Sequence, residues 1–243
     1  MEINMNKLIT YENLRCFTYS NDKILKGEPC GIVLDFFGLG GQEMFDEDTG
    51  AGKMFAEKGI IFLVPYNNPW AWMNRQAVDY TDEIVRVILD HYELPDSTPI
   101  VSTGGSMGGL SALVYTRYAR ITPVCCVANC PVCDLPYHFT ERHDLPRTLY
   151  SAFYNIEGDV SEALKCASPL HLVDTMPRVP YKIFHCDNDG AVNIEKHSER
   201  FVSAMNEAGH DVEYRVVNGR QHCDLTEDEW GKYYAFAEKA IIG

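Results

Sequence analysis

Val101-Ser-Thr-Gly-Gly-Ser-Met-Gly-Gly-Leu110 places four glycines and three small hydroxyl residues within ten positions. An apolar segment precedes this stretch and a helix-like one follows it. Glycine loses more conformational freedom on folding than any other residue, so such a cluster implies a sharp turn or a close approach of backbone. Gly104-Gly-Ser106-Met-Gly108 fits the pattern G-x-S-x-G. When this pattern joins a strand to a helix, it holds a serine on a strained turn above the sheet, with small residues two before and two after it to avoid collision. Glycine-rich strand-to-helix turns also arise for packing alone, so the reading depends on its surroundings.

Those surroundings alternate. Strand-like runs occur at Cys30–Phe37, Gly59–Pro65, Pro99–Thr103, Thr122–Ala128, Pro180–His185 and Asp211–Val217. Between them, helical spacing of apolar residues predicts helices near 50–58, 76–92, 108–120, 193–208 and 228–241, as with Val78, Ile84, Val85, Ile88 and Leu89. Alternation of this kind predicts an α/β protein with a mostly parallel sheet covered on both faces. Leu14–Ser20 is expected to add an antiparallel edge strand or a hairpin. With no repeat or low-complexity linker, residues 1–243 are expected to form one domain. The aromatic-rich stretch 135–168, with Tyr137, Phe139, Tyr150, Phe153 and Tyr154, interrupts the alternation. It reads either as a small helical lid over the crevice at the strand ends or as an excursion filling its own minor core.

Composition removes several classes of function. A net charge of -14 with no visible Lys/Arg cluster argues against nucleic acid as a partner. No apolar run is long enough to cross a bilayer, and the N-terminus lacks the apolar core of a signal peptide, so the cytoplasm is the expected compartment. An odd count of nine cysteines fits reduced thiols. Cys126, Cys130 and Cys133 have a spacing that suggests a metal cluster. However, they fall in the apolar run Val124–Cys133, where cysteine serves as a small hydrophobe and no fourth ligand is evident. Glu47-Asp-Thr-Gly-Ala-Gly-Lys-Met54 lacks both the leading glycine of a phosphate loop and the hydroxyl residue after its lysine. Phe37-Gly-Leu-Gly-Gly41 likewise lacks the third glycine of a dinucleotide fingerprint.

A serine hydroxyl needs a base, and the base needs an orienting group. On this architecture they follow in the order serine, acid, histidine, on loops after later strands. Cys186-Asp-Asn-Asp-Gly190 supplies Asp187 and Asp189. Asp189 is the expected acid because it lies further past the strand end, and Asp187 is expected to bond loop amides. Of eight histidines, only His222 falls on the loop after the last strand; the others are expected to be exposed or structurally bonded. The amides of Met107 and Leu39 are the expected donors to an oxyanion, because Gly38, Gly40 and Gly41 let the backbone come close. Trp70, Trp72 and Met73, in the loop Pro65–Met73, are candidates either for the substrate pocket or for packing beneath the insertion. This chemistry calls for no metal ion and no organic cofactor.

Together these pieces resemble the α/β-hydrolase superfamily, and within it the catalytic domain of prolyl oligopeptidase-like serine hydrolases. Phe37-Gly-Leu-Gly-Gly41 is similar to the family's His-Gly-x-Gly-Gly, with Phe37 replacing His. Cys130-Pro-Val-Cys-Asp134 is similar to its Pro-Val-x-Asp, and Ala167-Ser-Pro-Leu170 to its Ser-Pro-Leu. His185-Cys-Asp-Asn-Asp-Gly-Ala-Val-Asn193 resembles its His-Gly-x-x-Asp-x-x-Val-Pro, with Cys186 and Asn193 as departures. This last comparison places Asp189 on the family's acid. The resemblance implies a serine hydrolase acting on small or medium carboxylic esters through an acyl-enzyme. A peptidase or amidase and a catalytically silent binding fold are the rivals. No propeller precedes the hydrolase-like part of this sequence, which weakens any carry-over of oligopeptidase activity.

Overall fold

Strand order fixes where a ligand can sit. The computed structural model describes residues 8–154 and 159–243. Residues 1–7 of the N-terminal stretch and 155–158 of the expected insertion lie outside the described residues. The strands are β1 (Thr18–Ser20), β2 (Gly31–Phe36), β3 (Ile60–Pro65), β4 (Ile100–Gly105), β5 (Cys125–Asn129), β6 (Tyr181–Cys186) and β7 (Val212–Val217). They form one seven-stranded sheet in the order β1-β3-β2-β4-β5-β6-β7. All neighbours pair in parallel except β1, which pairs antiparallel with β3. The chain runs outward from β2 to β3 and then returns to place β4 on the other side of β2. That reversal opens a crevice at the carboxyl ends of β2 and β4, the place where open α/β sheets bind ligands.

Burial follows position in the sheet. β3 and β5 are buried along their whole length, as parallel strands covered on both faces must be. β7 lies at the edge and alternates, with Glu213 and Arg215 turned outward. Helices α2 (Arg75–His91), α3 (Met107–Tyr118) and α8 (Ser198–Glu207) cover one face through a core containing Val78, Ile88, Leu110, Leu113 and Phe201. Helices α1 (Gly50–Ala56) and α9 (Glu227–Ile242) cover the other through Phe55, Tyr233 and Ala237. The helix starts are capped as their sequences suggest: the Thr49, Asn74 and Thr226 side chains accept the amides of Gly52, Ala77 and Glu229.

The sequence expectations differ from the structure in two places. Tyr11–Cys16 forms a 3-10 helix, leaving only Thr18–Ser20 as the edge strand. Residues 193–197 form a turn built on Asn193, which accepts the amides of Lys196 and His197, so α8 begins only at Ser198. Residues 135–166 carry α4 (Leu135–Glu141), α5 (Leu145–Phe153) and α6 (Val160–Cys166), and α7 (Pro169–Leu172) follows.

The glycines of the opening stretch have a steric reason. A Cβ at Gly108 would lie 1.9 Å from the carbonyl oxygen of Phe36, and one at Gly104 would lie 2.4 Å from that of Gly108. Both obstacles are backbone and cannot swing aside. Gly108→Ala is therefore expected to lower stability by about 3 kcal/mol or more, read as a shift of the urea midpoint. A wild-type midpoint would mean that β2 and α3 are not pressed together at this point.

Candidate active site

Ser106 sits between β4 and α3 with φ 60° and ψ -124°. This backbone conformation is costly for a side-chain-bearing residue, and it persists because its surroundings over-determine it. The Ser106 amide donates to Asn129 O at 2.9 Å, and the Ser106 carbonyl accepts from Leu110 at 3.1 Å and Val132 at 3.3 Å. Across the turn, Tyr233 on α9 accepts the Gly104 amide at 2.8 Å. The turn is thus fixed from β5, α3 and α9 at once. The Ser106 hydroxyl stands at the positive end of α3 and, among the described residues, has no hydrogen-bond partner.

Asp189 lies past the end of β6 with its side chain fully buried. Its Oδ1 accepts the amides of Ala191 at 2.8 Å and Val192 at 2.9 Å. Its Oδ2 lies 2.6 Å from His222 Nδ1 and 3.2 Å from His185 Nε2. Burial alone would raise this carboxyl, but the bonds from His185, His222 and the two amides outweigh it and hold Asp189 well below the usual carboxylate range. Asp187, the rejected candidate, instead accepts the amides of Gly219 and Arg220. His222 follows β7 and keeps about a quarter of its side chain exposed, 27%. Burial would lower its pKa, but the bond to Asp189, with a contribution from Cys130, raises it to about 9. Its contact with Cys223, and then burial, push the Cys130 thiol up.

The loop carrying His222 is tied to β5. Asn129 Nδ2 donates to Cys223 O at 3.2 Å, and the Cys223 thiol donates to Asn129 O at 3.6 Å. A Cβ at Gly105 would lie 3.1 Å from Cys223 Sγ, so the loop rests against the residue preceding Ser106. His222 Nε2 has Cys223 Sγ at 3.7 Å. It makes no direct bond to the Ser106 hydroxyl, a contact that commonly tightens only when substrate is bound.

The turn Phe37–Gly41 completes the crevice. Gly40 donates to Pro69 O at 3.0 Å and Gly41 to Gly38 O at 3.1 Å. A Cβ at Gly38 would come within 3.9 Å of the Ser106 Cβ. Among the described residues, the amides of Leu39 and Met107 donate to no protein acceptor. Met107 follows Ser106 directly and Leu39 follows Gly38, which lies against the serine.

The tryptophan loop divides. Trp70 is 40% exposed and lines a cavity of about 320 Å³ together with Asn67, Asn68, Asn74, Gln76 and Tyr80. Asn67 and Asn68 also border a separate narrow cleft beside Phe37, Gly41 and Met107. Trp72, offered as a pocket residue, is instead buried: its indole N–H donates to Thr148 Oγ1 at 3.1 Å and its ring meets His138 edge-on. An indole placed under α5 needs a partner for its N–H, and Thr148 supplies one. Met73 is likewise buried, touching only the narrow cleft.

Asn129 was not singled out by sequence reasoning, and neither His185 nor Cys130 was given a part in supporting Asp189 and His222. The four-residue spacing from His185 to Asp189 was the one available hint. Cys126 lies within β5 and Cys133 is buried beneath α4, so the three cysteines of that run form no common cluster.

A model of the prolyl oligopeptidase family matches residues 71–241, more than half of the chain. No curated protein matched in a sequence search. Among solved structures, the chain is similar to Pyrococcus horikoshii acylaminoacyl peptidase, with a TM-score of 0.68 and 13% identity over 88% of this chain and 37% of that one. A Mycobacterium tuberculosis puromycin-hydrolyzing peptidase is matched with a TM-score of 0.64 and 20% identity over 81% of this chain and 31% of the other. The chain thus spans about a third of these peptidases. Thermogutta terrifontis esterase 2 is matched with a TM-score of 0.64 and 20% identity over 91% of this chain and 87% of the esterase. The sheet order, the strained serine turn and the family match agree: the chain belongs to the prolyl oligopeptidase family, serine hydrolases on the α/β-hydrolase fold.

Proposed function

We propose that the protein hydrolyses carboxylic esters of small or medium size, with Ser106 as nucleophile, His222 as base and Asp189 as the group that orients the base. The observation that carries this reading is the Asp189–His222 pair at 2.6 Å, on a loop held against the residue before Ser106. Nδ1–H of His222 points at Asp189, which leaves the Nε2 lone pair for the serine proton. Ser106 Oγ attacks the ester carbonyl while Nε2 takes its proton. The amides of Leu39 and Met107 receive the negative oxygen. Collapse expels the alcohol, which takes the proton back from Nε2, and water repeats the cycle on the acyl-enzyme.

The preference for esters over peptides rests on taking the cavity beside Trp70 as the substrate pocket. None of the described residues lining the 320 Å³ cavity is charged, so a peptide terminus finds no counter-ion there. The match over most of an esterase's length supports the same preference. The insertion that carries α4 to α6 would act as a lid within a single domain, with Ser151 and Ala152 of α5 lining the cavity beside Trp70. Nine cysteines without a disulfide suit a reducing compartment such as the cytoplasm; no described helix is long and apolar enough to cross a membrane.

Steady-state hydrolysis of p-nitrophenyl esters from acetate to octanoate tests the assignment, with the chain-length optimum measuring the acyl pocket. Faster turnover of a matched anilide would favour the amidase. A folded protein whose Ser106 resists a fluorophosphonate would be a silent fold.

The base works only when neutral, and its folded pKa lies above the free imidazole value. The rate must therefore rise with pH through a limb displaced above 6.5. In Asp189→Asn the limb should move to lower pH, because the carboxylate that favours the charged ring is gone. A wild-type kcat/KM that is flat from about pH 5 to 8 would exclude His222 as the base.

A further inference from the structure

Side chains able to ligate a metal converge in three places among the described residues. In the first, His197 Nδ1 accepts the amides of Cys133 and Asp134, so its Nε2 carries the proton that it shares with Glu141. In the second, His185 has Ser198 on Nδ1 and both Val192 O and Asp189 on Nε2. At the first place His138 Nδ1 is bonded to Glu141 as well, so at both places the imidazole nitrogens that face the carboxylate are already hydrogen-bonded to it.

The third differs. Cys130, His222 and Cys223 each place one ligand atom within 4.8 Å of the others. Nδ1–H of His222 is committed to Asp189, which leaves the Nε2 lone pair facing Cys223 Sγ at 3.7 Å. The amides of Cys186 and Cys223 both point at Cys130 Sγ, at 3.4 Å each. Both would become bonds to a thiolate once an ion displaces the thiol proton. The carboxylate that orients a catalytic imidazole is also the outer-sphere partner that a metal-bound imidazole uses.

We propose that Cys130 Sγ, Cys223 Sγ and His222 Nε2 form a site for a thiophilic divalent cation, Zn²⁺ or Cd²⁺, with solvent in the fourth position. Two sulfurs and an imidazole select such ions over oxygen-seeking ones. Ligands of a tetrahedral zinc stand roughly 3.6–3.8 Å apart, so His222 and Cys223 at 3.7 Å already fit and the remaining separations, within 4.8 Å, need to close by no more than about an ångström. On binding, each thiol loses its proton to solvent and no redox change occurs. The ion takes the Nε2 lone pair and so stops the hydrolase; this consequence, unlike the binding, rests on His222 being the base. Cys223 is half-buried and lies on the open side of the site, giving the ion its entry.

The test uses reduced, chelator-treated protein. Titration with Cd²⁺ should give a thiolate-to-metal charge-transfer band that saturates at one equivalent. One equivalent of Zn²⁺ should block fluorophosphonate labelling of Ser106, and EDTA should restore it. Cys223→Ser and Cys223→Ala should each weaken the ion by more than about tenfold, with labelling compared to each variant's own metal-free rate. Cys16→Ser and Cys166→Ser, at exposed positions, should change neither readout. Absence of the band, or wild-type affinity in both Cys223 variants, overturns the site. A stoichiometric band in a protein that neither hydrolyses esters nor reacts with the fluorophosphonate establishes the site and overturns the hydrolase reading instead.

Discussion

Ser106→Ala is expected to lower kcat on the best p-nitrophenyl ester by roughly 10⁵- to 10⁶-fold, the scale seen when a triad serine is removed elsewhere. Its thermal midpoint should stay within about 3 °C of wild type. The two expectations have separate causes. Turnover falls because the hydroxyl that forms the acyl-enzyme is gone. Folding survives because the Ser106 hydroxyl has no hydrogen-bond partner among the described residues. The bonds that hold the turn come from its backbone, through Asn129, Leu110 and Val132. A variant retaining a tenth of the activity would remove Ser106 from the mechanism. A variant that fails to fold would mean that the hydroxyl carries structure not visible in these bonds.

Asp189→Asn should cost about 10⁴-fold in kcat, while Asp187→Asn should cost less than about tenfold. An asparagine at 189 can still accept the Ala191 and Val192 amides with its oxygen, but it then presents an amino group to His222 Nδ1. That nitrogen must become an acceptor, so the proton moves to Nε2 and the base loses the lone pair that the serine proton requires. His185 Nε2–H would face the same amino group. Asp187 touches neither ring; its contacts are exposed loop amides that an asparagine oxygen can also accept. Equal losses at the two positions would sink the choice of acid.

What could be read in the sequence was local or periodic. The alternation of strands and helices follows from the spacing of apolar residues, and the serine turn from glycines whose steric need lies within a few positions or against the adjacent strand. Asp189 and His222 could be placed because each follows a strand by a short loop. The supporting shell could not, because it depends on pieces distant in the chain. Asn129 meets Cys223 across 94 positions, and His185 acts on Asp189 only once the turn after β6 folds back. Trp72 shows the same limit: its burial is decided by Thr148 on α5, 76 positions away. Leu14–Ser20 read as an edge strand or hairpin, yet its first residues belong to the 3-10 helix Tyr11–Cys16, which lets Tyr11 and Arg15 both reach Asp22.

β7 is the outermost strand of its side of the sheet, paired along one side only, and outer strands are the first to fray. The base nonetheless takes its position from the middle of the molecule. Asn129 and Cys130, at the exit of central strand β5, grip the histidine loop through the Cys223 carbonyl, amide and thiol, and Asn129 also receives the nucleophile's own amide. Ser106 and the His222 loop are therefore surveyed from one benchmark, Asn129. Drift in the sequence of β7 is correspondingly cheap for this chemistry, whereas a one-residue slip at Asn129 would misalign both partners at once.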